Sequence, residues 1–303
     1  MPPPTSGSAA VETTGMVVVD KEPGWTSHDA VARCRRIYGQ RRVGHAGTLD
    51  PDATGVLLVG LGRFTRMLRF LTGLPKSYVG EVVLGSATST LDSSGDVTGT
   101  WDMSGVTLAD VRQAASTLTG VVDQVPPMVS ARKVGGRRLH ELARAGIEVE
   151  RAPRPVTVER FDVEPGPGGE AGVFRIEVDC STGTYVRVLA ADLGHALGGG
   201  AHLRNLRRTR IGSFGVDQGH TLGTLTDAHV LSPAQALRDL PQVELDAELA
   251  RAVAHGLALD RVSVGATGDG PWALLAGCGE LLAVYRATET DRMVAVCVLS
   301  GGG

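Results

Sequence analysis

Four side chains in three separate parts of the chain are of types that could carry chemistry. Asp50 lies in the run Arg42-Val-Gly-His-Ala-Gly-Thr-Leu-Asp-Pro-Asp-Ala-Thr-Gly55, where glycine and proline at this density impose a loop of fixed, unusual backbone shape. An apolar segment of strand length, Val56 to Leu61, follows at once and would hold that loop still. A carboxylate presented in this way can serve as nucleophile or base, although an aspartate in a glycine loop is more often a turn or cap residue. His45 and Asp50 also form an H-x-x-x-x-D pair, but no third clustered His, Cys or carboxylate supports a metal site. Tyr78 sits in Lys76–Gly85, whose alternation places Tyr78, Gly80, Val82 and Leu84 on one strand face; ordinary sheet packing would account for a tyrosine there. Arg187 falls in the first turn of a helix, where a cation opposes the macrodipole. That cost points to an anionic partner, with a plain surface arginine as the alternative.

These residues need elements to carry them. Met16–Asp20 reads as a short β-branched strand, followed by a Pro23-Gly24 turn. Ser27 is the expected N-cap of a helix reaching about Tyr38, with Val31, Cys34 and Ile37 on one face and Arg33 and Arg36 on the other. Arg63 to Leu71 is amphipathic, with Phe64, Leu68 and Leu71 inward. Residues 86–96 are polar and long for a hairpin, and so are either a mobile or a ligand loop. A helix through Leu108, Val111, Ala115 and Leu118 starts at a capping box of Thr107 and Asp110. After Pro126-Pro127, a Ser130–Lys133 strand and a Gly135-Gly136 turn are predicted to lead into a basic helix from about Arg138 to Ala145. Strands are expected at 156–163 and 173–180. The helix carrying Tyr185 and Arg187 opens at Thr184 and runs through Leu189, Leu193 and Leu197. Residues 204–210 form a basic strand and 233–240 a short helix. Short β-branched runs at 262–264, 272–275, 281–285 and 293–299, separated by glycine turns, suggest a small β-barrel.

With 303 residues and 42% hydrophobic content, the chain suits one large domain, or one large and one small. Its apolar runs fall short of a membrane span. The Pro-, Ser- and Thr-rich residues 1–15 read as a disordered lead without a secretory signal, so the cytoplasm is expected. The four cysteines, Cys34, Cys180, Cys278 and Cys297, are widely spaced, which indicates reduced thiols and neither a zinc site nor a disulfide framework. A net charge of -3 argues against a polyanionic partner, yet 14 of the 30 basic side chains fall in segments 33–42, 132–144 and 204–210, with Glu141 the only acid among them. Gathered together, these segments would suit phosphate; kept apart, they are three solvated faces.

Gly44-His-Ala-Gly-Thr-Leu-Asp-Pro-Asp-Ala-Thr-Gly55 resembles the signature of the TruB family of tRNA pseudouridine synthases. The resemblance extends, in that family's order, to Lys21-x-Pro-Gly-x-Thr-Ser27, Lys76-x-Tyr78 with Leu84-Gly85, Thr90-x-Asp92-x-x-Gly95, Gln124-x-Pro-Pro-x-x-Ser-Ala131, Gly183-Thr-Tyr-x-Arg187 and Leu206-Arg-Arg208. It covers about residues 16–240 as a catalytic domain, while 241–303 resemble, more weakly, a PUA RNA-binding barrel.

The resemblance implies an α+β fold, with a central mixed, mainly antiparallel sheet flanked by helices and a small C-terminal barrel. It implies isomerisation of a T-loop uridine, position 55 of tRNA, by base flipping, cleavage of the N1–C1′ bond and rejoining through C5, with no cofactor and no metal. Asp50 would be the nucleophile, through either a covalent adduct or an oxocarbenium or glycal species. Arg187 would pair with it, Tyr78 would stack on the flipped uracil and help remove the C5 proton, and Tyr185 would support the pocket. His45 would fill the space left by the extruded base. Lys21, Gly44, Leu206, Arg207 and Arg208 are implied at the substrate, with arginines on T-arm phosphates and glycines admitting the RNA backbone. The resemblance implies that most members carry a tyrosine where this chain has His140. The implied partner is the tRNA T-arm, with no obligatory protein partner, no membrane and a monomeric protein. An inert RNA-binding scaffold or tRNA-folding chaperone of the same fold, and a synthase acting on other RNA stem-loops, are the competing readings. Asp50, Tyr78 and Arg187 together argue against the scaffold, because binding alone needs none of them.

Overall fold

The computed structural model describes residues 12–128, 130, 133–134, 137–138, 147 and 149–299. Its first unit comprises β1 (Gly15–Lys21), α1 (Ser27–Ile37), β2 (Val43–Ala46) and β3 (Thr54–Leu61). β3 is buried from Gly55 to its end, as suits an apolar run with no polar face. Val56 and Leu58 pack with Met16, Phe64 and Leu71 on one side; Leu57, Val59 and Leu61 pack with Val31 and Cys34 of α1 on the other. One edge of β3 pairs with β1. The other pairs antiparallel with β2 over 58–61 and parallel with a later strand over 54–55. Residues 47–53, with Asp50, leave the sheet at the gap between those two partners.

α1 is capped by Thr26 and not by Ser27. The Thr26 hydroxyl accepts from Asp29 N–H and the Asp29 carboxylate accepts from Thr26 N–H, a capping box contributing about 1 kcal/mol. This places Ser27 inside the first turn and frees its hydroxyl for another partner. Residues 12–15, expected in the disordered lead, are packed: Gln40 Nε2 donates to Thr13 O and Gly15 pairs with Leu61. Residues 1–11 lie outside the described ones.

A 3-10 turn at Gly62–Arg66 and α2 (Leu68–Leu71) bury Phe64, Leu68 and Leu71 as patterned. β4 (Lys76–Leu84), β5 (Ser86–Thr88), β6 (Val97–Thr100), α3 (Leu108–Thr117) and β7 (Gly120–Gln124) follow. β8 (Lys133–Val134) pairs antiparallel with β9 (Arg137–Arg138). Arg138 therefore belongs to a strand and not to the expected helix, and the intervening Gly-Gly is a sequence suited to a two-residue hairpin. The remainder of that expected helix, His140 included, lies outside the described residues. β10 (Arg154–Pro165), β11 (Val173–Cys180), α4 (Val186–Ala196), β12 (Ala201–Ile211), β13 (Phe214–Gly215) and α5 (Pro233–Ala236) complete this part.

The main sheet runs β1-β3-β12-β4-β11-β10-β7, antiparallel except where β3 meets β12, which is the mixed, mainly antiparallel sheet of the expected α+β class. α3 and α4 cover one face, with Val111, Leu189 and Leu193 packed on Tyr78, Val82, Ile176 and Val178. The other face carries cross-strand ion pairs, among them Arg160 with Asp179 at 2.8 Å and Arg204 with Glu81 at 2.6 Å.

The last part holds β14 (Gln242–Leu245), α6 (Ala247–Ala254), β15 (Leu259–Asp260), β16 (Trp272–Ala276), β17 (Leu281–Ala287) and β18 (Arg292–Val298). Its sheet, ordered β14-β16-β17-β18-β15, is a curled half-barrel. Residues 262–264 make no strand, and Val262 is 81% exposed. α6 was not apparent as a β-pattern segment; Asp246 caps it, accepting from the Glu248 and Leu249 N–H groups. Leu275, Val284 and Leu299 share a core cluster with Met16, Phe64 and Leu237, so the two sheets are joined by common hydrophobic packing. No helix among the described residues is long and apolar enough to cross a membrane.

Candidate active site

The Asp50 loop is held carbonyl by carbonyl. Arg208 Nη2 donates to Gly47 O at 3.0 Å and Nη1 to Thr48 O at 3.3 Å. Ser27 Oγ donates to Leu49 O at 3.0 Å and accepts from Leu49 N–H at 2.9 Å. Asp50 O accepts from Ala53 N–H, and Pro51 O from Lys21 Nζ at 2.9 Å and Gly24 N–H at 3.0 Å. Each successive carbonyl from Gly47 to Pro51 thus has a donor, and a backbone so anchored fixes the direction of the Asp50 side chain without a contact to the side chain itself.

The Asp50 carboxylate meets Arg187, with Nη2 to Oδ2 at 3.2 Å. Arg187 Nη1 reaches Asp92 Oδ2 at 3.2 Å and donates to Thr90 O at 2.9 Å. The arginine is the second residue of α4, at the positive end of the helix dipole, and is 5% exposed; two carboxylates offset both the burial and the dipole. Asp92 is itself fixed by Thr90 Oγ1 at 2.6 Å and by Ser94 N–H at 3.1 Å. The 86–96 segment therefore orients Arg187, and Asp92 is the site residue that sequence reasoning missed. Its Thr-x-Asp-x-Ser spacing, which lets the hydroxyls on either side bond the carboxylate, was the available signal. Asp50 keeps 43% of its side-chain surface exposed. Burial raises its pKa, Arg187 opposes that shift and Asp92 adds to it.

Asp50, Tyr78, Tyr185, Arg187 and Leu206 converge on one cavity of about 290 Å³. A second, of about 310 Å³, shares Asp50, Arg187 and Leu206 as a common wall. Tyr78 lies on β4 directly opposite Val178 and Arg208 in the strand registers. Burial pushes its hydroxyl pKa up, while Arg208 pulls against that shift. Tyr185 is the N-cap of α4 and makes no side-chain cap bond. Gln124, 2% exposed, supplies a partner for its backbone: the amide oxygen accepts from Tyr185 N–H at 2.9 Å and Nε2 donates to Tyr185 O at 3.3 Å. α4 therefore opens at Val186 and not at Thr184, because the backbone at Tyr185 is held extended by β7.

Several residues expected at the substrate have partners within the protein. Lys21 is fully buried and spends its ammonium on the carbonyls of Glu22, Trp25 and Pro51, at 3.1, 2.7 and 2.9 Å; burial brings its pKa to about 8, against the pull of Asp52 and Asp50. Arg207 grips Asp20 with both Nη atoms, at 3.0 and 2.8 Å. Arg208 is 1% exposed, donates to the carbonyls of Val56, Thr48 and Gly47, and reaches the wall of the Asp50 cavity. Arg204 and Arg210 pair with Glu81 and Asp179. The basic strand 204–210 is thus neutralised or buried, whereas Arg33, Arg36 and Arg41 make no ion pair among the described residues. Gly44 packs beneath Leu68, and a Cβ at Gly55 would sit 2.1 Å from Arg208 O. These two glycines admit the close approach of α2 and β12. His45 stands in β2 with its ring 5.6 Å from that of His28, edge-on, outside the lining of the cavity. Burial, then His28 and Arg208, push its pKa down to about 4, so it is neutral at pH 7. Among the described residues no group of three or more His, Cys, Asp or Glu side chains is placed to hold a metal ion.

Residues 35–186 match the model of the TruB family pseudouridylate synthase N-terminal domain, and residues 187–250 that of the tRNA pseudouridylate synthase B C-terminal domain. The tRNA pseudouridine synthase B of Mycobacterium sp. (strain KMS) is 46% identical over 277 residues, covering 90% of this chain and 92% of that protein. The protein of the same name from Arthrobacter sp. (strain FB24) is 44% identical over 284 residues, covering 89% and 92%. Among solved structures, a chain of a Cbf5-Nop10-Gar1 complex superposes with a TM-score of 0.72 at 28% identity, over 94% of this chain and 83% of that one. A chain of an H/ACA RNP bound to a substrate RNA containing 2′-deoxyuridine gives 0.69 at 26% identity, over 94% and 83%.

Proposed function

The chain belongs to the TruB family of pseudouridylate synthases, and from that premise we infer that it isomerises a T-loop uridine of tRNA, position 55, with Asp50 as the nucleophile. The observation that carries this reading is the Asp50–Arg187 pair at 3.2 Å on the wall of a cavity that also holds Tyr78 and Tyr185. The arginine keeps the carboxylate ionised and aimed, and the open side of Asp50 faces the space a flipped nucleoside would enter. Tyr78 offers its ring to the uracil, and its hydroxyl, held protonated by burial, can take part in proton transfer at C5 once the base has turned. Tyr185 and Leu206 close the remaining sides. No step calls on a cofactor.

An RNA-binding scaffold would not need a buried arginine clamped between two carboxylates beside a base-sized cavity, and this geometry favours the enzyme. Arg33, Arg36 and Arg41, without an ion pair among the described residues, lie along α1 and just beyond it, a helix whose first turn touches the Asp50 loop through Ser27. They suit the phosphates of the stem leading to the flipped base. The C-terminal half-barrel, residues 241–303, serves as an RNA-binding module fixed to the catalytic part of residues 16–240, and the protein acts as a monomer. The test is an unmodified tRNA transcript incubated with purified protein in EDTA, then mapped by carbodiimide treatment and primer extension. A single stop one nucleotide 3′ of position 55, where primer extension halts before a modified pseudouridine, supports the reading; a stop elsewhere, or none, removes it.

A further inference from the structure

Lys76 and Arg208 are buried cations of the cavity wall that no carboxylate among the described residues balances. Lys76 is 8% exposed and Arg208 1%, and both line the cavity that holds Asp50 and Tyr78. Their bonds go to neutral oxygens. Lys76 Nζ donates to Thr72 O at 3.1 Å and Leu74 O at 2.6 Å, and Arg208 donates to the carbonyls of Val56, Thr48 and Gly47. Neither takes part in an ion pair among the described residues. They also converge, since a Cβ placed on Gly47 would lie 3.6 Å from Arg208 Nη1 and 3.7 Å from Lys76 Cε.

Like charges buried this close repel, and each has lost its hydration. At Arg187, Arg204 and Arg207 the same fold answers a cation with an acid, and the buried Lys21 feels the pull of Asp52 and Asp50. An arrangement that costs stability in the free protein and faces the substrate cavity is explained if an anion arrives there during the reaction. Asp50 cannot be that anion's host, because its own charge would repel it.

We propose that Lys76 and Arg208 form an anion-holding wall for the uracil while it is detached from the ribose. When the C1′–N1 bond breaks, its electron pair stays on N1 and spreads to O2 and O4, leaving a uracil monoanion. The two cations hold that charge while the ring turns. Asp50 Oδ bonds C1′ as N1 leaves; C5 then supplies the electron pair of the new C5–C1′ bond while the Asp50–C1′ bond breaks and its pair returns to the carboxylate, C5 gives up its proton and N1 takes one, so the base leaves the wall neutral. The groups facing Lys76 set its working range: burial and Arg208 bring its pKa to about 8, Cys180 opposes them, and Tyr78 and Asp50 complete the surroundings. Turnover that depends on this ammonium falls as pH rises through about 8.

The proposal rests on the pseudouridine synthase reading, and the experiment separates the two. A T-arm stem-loop RNA with an abasic site at the target position is saturated with full-length protein, and barbiturate, a uracil-sized ring ionised at neutral pH, or neutral uracil is added by calorimetric titration. The wall predicts that barbiturate binds at least about tenfold more tightly than uracil, that Lys76→Met abolishes the preference, and that Lys76→Arg retains it. In a parallel pH series, Lys76→Arg carries tritium release from C5-labelled uridine to higher pH than the wild type. Equal binding of the two bases by wild type, or a preference unchanged in a Lys76→Met protein whose melting shows it folded, overturns the proposal. Should Lys76→Met fail to fold, the wild-type preference and the shifted limb in Lys76→Arg decide it. Preference without tritium release on any tRNA removes the enzyme reading and leaves the anion wall; release without preference removes the wall alone.

Discussion

Asp50 and Asp92 are both ion-paired to Arg187, at 3.2 Å each, yet Asp50 keeps 43% of its side chain exposed and Asp92 only 21%. One carboxylate holds the guanidinium from behind, and the other presents a free face to the cavity. Arg187 is therefore an aiming device fastened at two points.

Replacing Arg187 by alanine leaves Asp50 with a correct backbone and no partner for its side chain. Misaiming of this kind costs about 100-fold or more in rate. Arg187→Ala should lose kcat by that factor while the Kd for a T-arm stem-loop stays within about threefold, read by single-turnover tritium release and filter binding. Equal losses in both would mean that Arg187 binds RNA backbone.

Asp92 bears on the pH dependence. Its negative charge raises the Asp50 pKa; the proposed nucleophile must be ionised, so the rate is expected to fall as pH drops through that raised value. Asp92→Asn removes the charge, lowers the Asp50 pKa and moves the acid limb of kcat to lower pH. A limb that stays in place, or moves up, contradicts the assignment.

Gln124 acts through Tyr185. A Gln124→Met substitution keeps volume but leaves the Tyr185 N–H without its partner, while the C=O still accepts from Val188 and Leu189 N–H, a change of about 1–3 kcal/mol for a buried group. Thermal melting should register that loss. The kcat should fall with KM nearly unchanged, because the start of α4 carries Arg187.

The arginines of β12 should behave unlike surface cations. Arg208→Glu buries a carboxylate against three carbonyl oxygens, with an expected loss of about 3–5 kcal/mol in stability. Arg207→Ala, which breaks a half-exposed pair with Asp20, should cost below about 1 kcal/mol and leave RNA affinity intact. Arg33→Ala and Arg36→Ala should each weaken RNA binding and reduce the salt slope by about one. Urea melts and salt-dependent filter binding distinguish these cases.

Much of this was legible in the residues. The uninterrupted apolar run of β3, the 78/80/82/84 alternation of β4 and the Thr107–Asp110 box each carry their own period or cap, and the elements formed where expected. A cation in the first turn of a helix announced an anionic partner for Arg187, though not that there would be two. Charge counting failed at 204–210, because a basic strand in sequence says nothing of the acids its neighbours bring. Glu81, Asp179 and Asp20 come from other strands and cancel Arg204, Arg210 and Arg207. The close approach of β12 to Gly55 was illegible for the same reason, since the strand that fills that space comes from far along the chain. Lys21 gave no sign of burial, since lysine is normally a surface residue and its three carbonyl partners are brought together only by the folded turn.

The central claim is that Asp50 performs the chemistry. The direct measurement is tritium release from C5-labelled uridine in a tRNA T-arm, wild type against Asp50→Asn, a substitution that keeps the shape and hydrogen-bonding reach of the side chain while removing its charge and nucleophilicity. The account predicts release by the wild-type protein without added metal or nucleotide, none above background with Asp50→Asn, and RNA affinity alike in the two. Release by Asp50→Asn at the wild-type rate would contradict it.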